Sequence, residues 1–135
     1  MALEQVALLT SEGVDPSHII IGHMDRKMEL DYWMQVAETG VYLGIDQISK
    51  SKYYPDEARA GAIKAMIDQG HGHRLLLSGD LARRSYWPAY GYPGAPGFTY
   101  LLARFIPMLM AAGVSKEEKN ALLVRNPAAA LAMVD

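Results

Sequence analysis

Two residues at corresponding places in this sequence carry side chains suited to metal or proton chemistry. His23 follows the apolar run Ile19-Ile20-Ile21-Gly22, and Asp80 follows Leu75-Leu76-Leu77-Ser78-Gly79. Parallel α/β folds build their sites at the carboxyl ends of strands, so both residues have the address of site residues. An imidazole and a carboxylate can each ligate a divalent metal, and the carboxylate can also take a proton from an attacking water. Simpler roles exist for both: a histidine can order its loop by hydrogen bonds, and an aspartate can cap a helix or close an Asx-turn. Asp46 and Gln47 end the run between them, where they either turn the chain or, for Gln47, meet a substrate.

Basic residues gather near the same end. Lys50, Lys52, Arg83, Arg84 and Tyr86 fall just beyond the second and third apolar runs, where they could converge on an anion. Arginine offers a bidentate fork, lysine a mobile point charge and tyrosine a hydroxyl donor, which makes phosphate the natural ligand. The plain alternative is a solvated basic loop. His71 and His73 precede the third run and so lie at its opposite end from Asp80; they read as a surface turn. The methionines, on or near helical faces, read as packing.

The elements that must position these residues alternate. Leu3, Val6 and Ala7 have helical spacing with a stop at Gly13, and 18–22 reads as a short buried strand. Leu30, Trp33, Met34 and Ala37 recur at helical intervals, Gly40 ends that helix, and 41–45 is a second strand. Pro55, Asp56 and Glu57 open a third helix that buries Ala62, Ile63, Met66 and Ile67 and stops at Gly70, before a strand over 74–78. The loop over 82–97, rich in Gly, Pro and Tyr, exceeds the usual connection length and so reads as functional. A helical stripe of Phe98, Leu101, Leu102, Phe105, Ile106 and Leu109 follows, with Pro107 expected to kink it. Ser115 to Glu118 has the capping-box pattern, and Asn126-Pro127 resembles an N-cap and first position opening a last Ala-rich helix.

This alternation implies a parallel sheet, and the near-continuous apolar strands imply cover on both faces. Three strands leave two unpaired edges, so the chain is expected to need either further copies of itself or the rest of a barrel. The 135 residues, 50% apolar and 21% charged, are read as one partial domain over 1–135. A net charge of -2 and pI near 6.1 give no global pull toward nucleic acid or anionic lipid. With no cysteine, disulfides and thiolate metal sites are excluded. No apolar run reaches the roughly 18 residues of a membrane helix, and no signal-peptide layout opens the chain, so a soluble cytoplasmic protein is expected.

Taken together, Ile21-Gly22-His23-Met24-Asp25, Leu77-Ser78-Gly79-Asp80 and the tail from Phe105-Ile106-Pro107 to Asn126-Pro127 resemble the phosphotriesterase family of the amidohydrolase superfamily. Tyr53-Tyr54-Pro55-Asp56-Glu57 and Asp80-Leu81-Ala82-Arg83-Arg84-Ser85 look similar to its bacterial phosphotriesterase homology branch. The resemblance runs nearly the whole chain. It implies the C-terminal part, strands six to eight with their helices, of a (β/α)8 TIM barrel whose two-metal centre, usually zinc, hydrolyses esters, lactones or phosphotriesters.

By the same resemblance, His23 is a ligand of the more exposed metal, and Asp80 binds the buried metal and shuttles a proton. In the branch that acts on phosphorylated sugar lactones, an Arg and a Tyr after that Asp hold the phosphate, as Arg83 and Tyr86 would, assisted by a Lys matching Lys52 or Lys50. Gly79 and Leu81 depart from the pattern of organophosphate-degrading members. The family's first-strand His-x-His, its bridging Lys or Glu and its fifth-strand His have no counterpart in this sequence. The expectation is therefore a metal-dependent hydrolase of a lactone or carboxylic ester carrying a phosphate. The alternative is a non-catalytic truncated chain or oligomerising module.

Overall fold

The computed structural model describes residues 1–132. Three strands, β1 (Ile20–Ile21), β2 (Tyr42–Ile45) and β3 (Leu75–Leu77), form one parallel sheet in the order β1-β2-β3. Ile20 pairs with Tyr42, and Leu43 pairs with Leu75, so the sheet advances one strand with each helical crossover. This is the parallel α/β arrangement expected of part of a (β/α)8 barrel. Each strand is shorter than the segment expected for it: the 3-10 turns at Pro16–His18 and Gly72–Arg74 include His18 and Arg74, and β1 and β3 end at Ile21 and Leu77.

Helices α1 (Ala2–Ser11), α2 (Leu30–Glu38) and α3 (Asp56–Asp68) form where the apolar spacing places them. Alternation along the strands aims Ile21, Leu43, Ile45 and Leu75 at a core shared with Trp33, Val36, Ile63, Met66, Phe105 and Leu109. The expectation of cover on both faces holds for the central strand β2, whose four residues are all buried, whereas the edge strand β1 leaves Ile20 open at 42% exposure.

The C-terminal part departs from the sequence reading at both prolines. A π-turn over Leu101–Phe105 runs directly into α4 (Ile106–Ala111), with the Ile106 N–H bonded to the Leu101 carbonyl. A second π-turn over Ala121–Arg125 joins α5 (Lys116–Asn120) to α6 (Asn126–Leu131), with the Asn126 N–H on the Ala121 carbonyl. In both, proline follows the residue that closes the wide turn. The extra residue gives the pyrrolidine ring room where an α-turn would press it against the preceding turn's carbonyl. Asn126 is consequently inside a continuous helical path rather than a cap, and its amide donates to the carbonyls of Gly72 and Leu75 at 2.8 and 2.9 Å.

The first π-turn also moves Leu102 out of phase with the expected stripe, which starts later than Phe98. Phe98 and Leu102 are 80% and 61% exposed, and Phe98 lies in the loop with its ring edge-on to Trp87 at 3.9 Å. The capping box at Ser115 is present, with both reciprocal bonds made to Glu118.

Trp33 connects core to site. It is fully buried, and its indole N–H is shared between the Met24 and Lys27 carbonyls at 3.1 and 3.0 Å, which braces the turn after His23. Trp33→Phe keeps most of the packing but strips those carbonyls of their donor. It should lower stability by about 1–3 kcal/mol in urea unfolding, and an unchanged midpoint would show that the brace is idle.

Candidate active site

The three strand ends deliver their polar residues in an unusual backbone state. His23, Ser49 and Asp80 all have left-handed conformations, with φ of 59, 78 and 43°, although none is glycine. Such a residue persists only where its surroundings hold it. For His23 the holder is Asp46: one carboxylate oxygen accepts the His23 backbone N–H at 2.9 Å, and the other accepts from ring Nδ1 at 2.6 Å. Gly44 makes room for this contact. A Cβ there would stand 3.1 Å from the Gly22 Cα and 3.4 Å from the Asp46 carboxylate.

Gln47 ties the strand ends together. Its amide nitrogen donates to Asp46 Oδ1 at 3.0 Å and to Asp80 Oδ2 at 3.3 Å, which accounts for both its hydrogens. It also lies 3.0 Å from His23 Nδ1, so with those hydrogens committed the Nδ1 proton goes to Asp46. This tautomer leaves Nε2 of His23 as the free lone pair, the arrangement that suits a ligand histidine.

Lys50 completes the cluster. Its side chain is only 4% exposed, against 40% for Asp80, and its ammonium donates to the Asp80 carboxylate at 2.5 Å and the Asp80 carbonyl at 2.7 Å. The same nitrogen lies 5.1 Å from the centre of the Tyr86 ring. Lys50 foremost holds the Asp80 carboxyl below the usual carboxylate range; burial opposes it, and Gln47 adds a lesser lowering contribution. A carboxyl lowered on folding contributes stability above its unfolded pKa and loses it as pH falls through the folded value.

The structure thus brings His23, Gln47, Lys50, Asp80 and Tyr86 together. It sends Lys52 elsewhere, its ammonium 4.7 Å from the Tyr53 ring. Arg83 is exposed at the start of the 3-10 turn Arg84–Tyr86, and its carbonyl accepts the Tyr86 N–H. His73 bonds the Gly70 carbonyl at the other end of β3, as a turn residue would. A cavity of about 370 Å³ adjoins Asp80, walled by Ile48, Leu77, Leu81 and Phe98, and the partnerless buried hydroxyl of Ser49 belongs to a residue lining it. A larger cavity, about 630 Å³, sits against Gly72, His73 and Asn126 and includes none of the candidate ligands.

Sequence reasoning missed the support beneath this cluster. Asp25 is fully buried and accepts the backbone N–H groups of Asp46 and Gln47 together with Nε of Arg59, the last at 2.7 Å. Burial pushes the Asp25 carboxyl up, and Arg59 and the Gln47 N–H oppose that. Arg59, also fully buried, donates further to Asp56 and to the carbonyls of Tyr54 and Lys50. The signal was available, since Arg59 stands on the same helical face as Ile63 and Met66. A charge on an apolar face needs a buried partner.

His23 and Asp80 are chemically apt donors for a divalent ion, but among the described residues no group of three or more His, Asp or Glu could hold one. These two residues alone do not make a metal centre.

The model of the phosphotriesterase family matches residues 1–131. The chain belongs to the phosphotriesterase family. It is 42% identical over 127 residues to the phosphotriesterase homology protein of Escherichia coli, covering 94% of this chain and 42% of that one. The crystal structure of that protein, complexed with phosphate in its active site, superposes with a TM-score of 0.87 over 93% of this chain and 42% of that one. A phospho-furanose lactonase of Mycoplasmopsis synoviae is 39% identical over 136 residues, 98% of this chain and 38% of the relative. A lactonase structure from Listeria monocytogenes, 34% identical, gives a TM-score of 0.93 over all of this chain and 42% of that one. The chain therefore spans about two fifths of the length of these relatives.

Lys50→Met should return the Asp80 carboxyl toward the ordinary carboxylate range in a carboxyl-carbon NMR titration. An unmoved Asp80 would mean that Lys50 is not its partner in solution.

Proposed function

We propose that this chain supplies the His23 and Asp80 side of a hydrolase that opens a lactone or carboxylic ester carrying a phosphate. The observation that carries the reading is the placement of the buried Lys50 ammonium between Asp80 and the Tyr86 ring, with Arg83 beginning the adjoining turn. Two charge donors and a phenol beside a carboxylate suit a substrate whose anionic group is held while a nearby bond is broken. The phosphate in the active site of the E. coli relative and the phospho-furanose substrate in the name of the M. synoviae relative support the same ligand class.

In this reading Asp80 accepts the proton of the attacking water, and Lys50, Arg83 and Tyr86 hold the phosphate. Gln47 keeps the Asp80 carboxylate oriented, and Lys52, turned to Tyr53, has no part in the clamp. His23 and Asp80 are assigned as two ligands of a divalent ion, zinc by family resemblance, whose remaining ligands are not among the described residues. The partner that completes the centre is the remainder of a barrel rather than nucleic acid or membrane, and no helix among the described residues is long and apolar enough to cross a bilayer. The cysteine-free composition accords with a cytoplasmic setting.

The donor count favours a second reading, a non-catalytic module that associates through its open sheet edges. Metal analysis with turnover separates the two: two metals per protomer together with hydrolysis of a phosphorylated lactone rules the module out. For the clamp, Arg83→Ala should reduce kcat/KM for a phosphorylated lactone about 10- to 100-fold, the worth of one charge-assisted contact. Its effect on the unphosphorylated analogue should be small, and equal losses on both would remove Arg83 from the clamp.

A further inference from the structure

We propose that the buried Asp25–Arg59 pair is the positioning device of the phosphate-holding loop, fixing the backbone of residues 46–54 so that the Lys50 ammonium is delivered to Asp80. The role assigned to Lys50 rests on the function proposed above; the positioning itself rests on bonds within the chain. Asp25 receives the N–H groups of Asp46 and Gln47. Arg59 holds the carbonyl of Lys50 at 3.3 Å and that of Tyr54 at 2.5 Å, the two ends of the loop's tip. Asp56, bonded to Arg59 at 2.9 Å, takes the N–H of Ser49 on both carboxylate oxygens, and the Tyr100 hydroxyl donates to it as well. Three charged side chains with almost no exposure thus hold five backbone groups of one short loop.

A purely stabilising core would not need this arrangement. Replacing a buried ion pair by apolar side chains of similar volume is often neutral for stability, but apolar side chains bond to no backbone. The guanidinium is suited to the task because its donors radiate in one rigid plane toward Asp25, Asp56 and two carbonyls, which a lysine ammonium cannot span. Asp25 and Arg59 face neither solvent nor the cavity beside Asp80, so they act through Gln47, Ser49 and Lys50 and are positioning residues.

The test uses the 135-residue chain, with inorganic phosphate as the probe and amide hydrogen exchange as an independent readout. In the wild type, the N–H groups of Gln47 and Ser49, which donate to side chains, should exchange only through global unfolding. Exchange at loop rates would overturn the proposal without any variant. The double variant Asp25→Leu with Arg59→Met should expose those amides to faster exchange and weaken phosphate binding about tenfold or more, as expected when a charge-assisted contact is lost. Ile63→Val, a core control on the same helix, should leave phosphate affinity unchanged. Arg59→Lys keeps the charge and serves if the double variant does not fold; it should show the same local loosening, and wild-type protection with wild-type affinity would refute positioning. A wild-type chain that binds no phosphate while Gln47 and Ser49 stay protected would reject the phosphate clamp and leave the positioning intact.

Discussion

The pairing of Asp25 with Arg59 is the interaction on which the geometry of this molecule's polar end depends. Both side chains are fully buried, so neither could stand without the other: an unpaired charge in that setting carries a penalty that folding could not offset. The pair is a weak source of net stability, because desolvation takes back most of the Coulomb attraction. Its contribution is direction. Order passes from it to Gln47, whose amide reaches Asp46 and Asp80, and to Lys50, whose ammonium closes on Asp80.

The sequence was legible where a feature is decided locally. Helices α1, α2 and α3 repeat their apolar residues at helical spacing and stop near a glycine, and the structure forms them there. The parallel strand order follows from the alternation, but strand lengths do not, because a ladder ends where its neighbour ends. β1 is two residues long against the four-residue apolar run Ile19-Ile20-Ile21-Gly22. The Ala-rich helix α6 does begin at Asn126, but Asn126 is not its N-cap, for a related reason. The same dipeptide signals a helix start by its local chemistry, and here the amide is committed to carbonyls 54 and 51 residues away in sequence.

The site shows the same division. The positions of His23 and Asp80 after apolar strands were readable, and so was the presence of basic residues nearby. Which lysine meets Asp80 was not, since Lys50 and Lys52 differ only in where the loop turns them. That turn is set by Ser49 at positive φ and by its bonds to Asp56. Arg59 could have been found from its helical face, but its partner Asp25 lies 34 residues away and follows no local pattern.

The three left-handed residues show why these side chains, and not glycines, stand at the strand ends. Each such conformation costs on the order of 1–3 kcal/mol, and glycine would remove that cost. A glycine at position 23 or 80 would also remove the imidazole or the carboxylate that the cluster is built around, so chemistry outweighs backbone comfort there. The strain is tolerable because each residue has a charged holder: Asp46 for His23, Asp56 for Ser49 and Lys50 for Asp80. Every holder is in turn fixed by the buried pair, Asp46 through its N–H on Asp25, Asp56 through its bond to Arg59, and Lys50 through its carbonyl on Arg59. The three strained ends are therefore not independent. They share one interior anchor, which is how strands too short to define a site by their own ladder can still present His23, Gln47, Lys50 and Asp80 in a single arrangement.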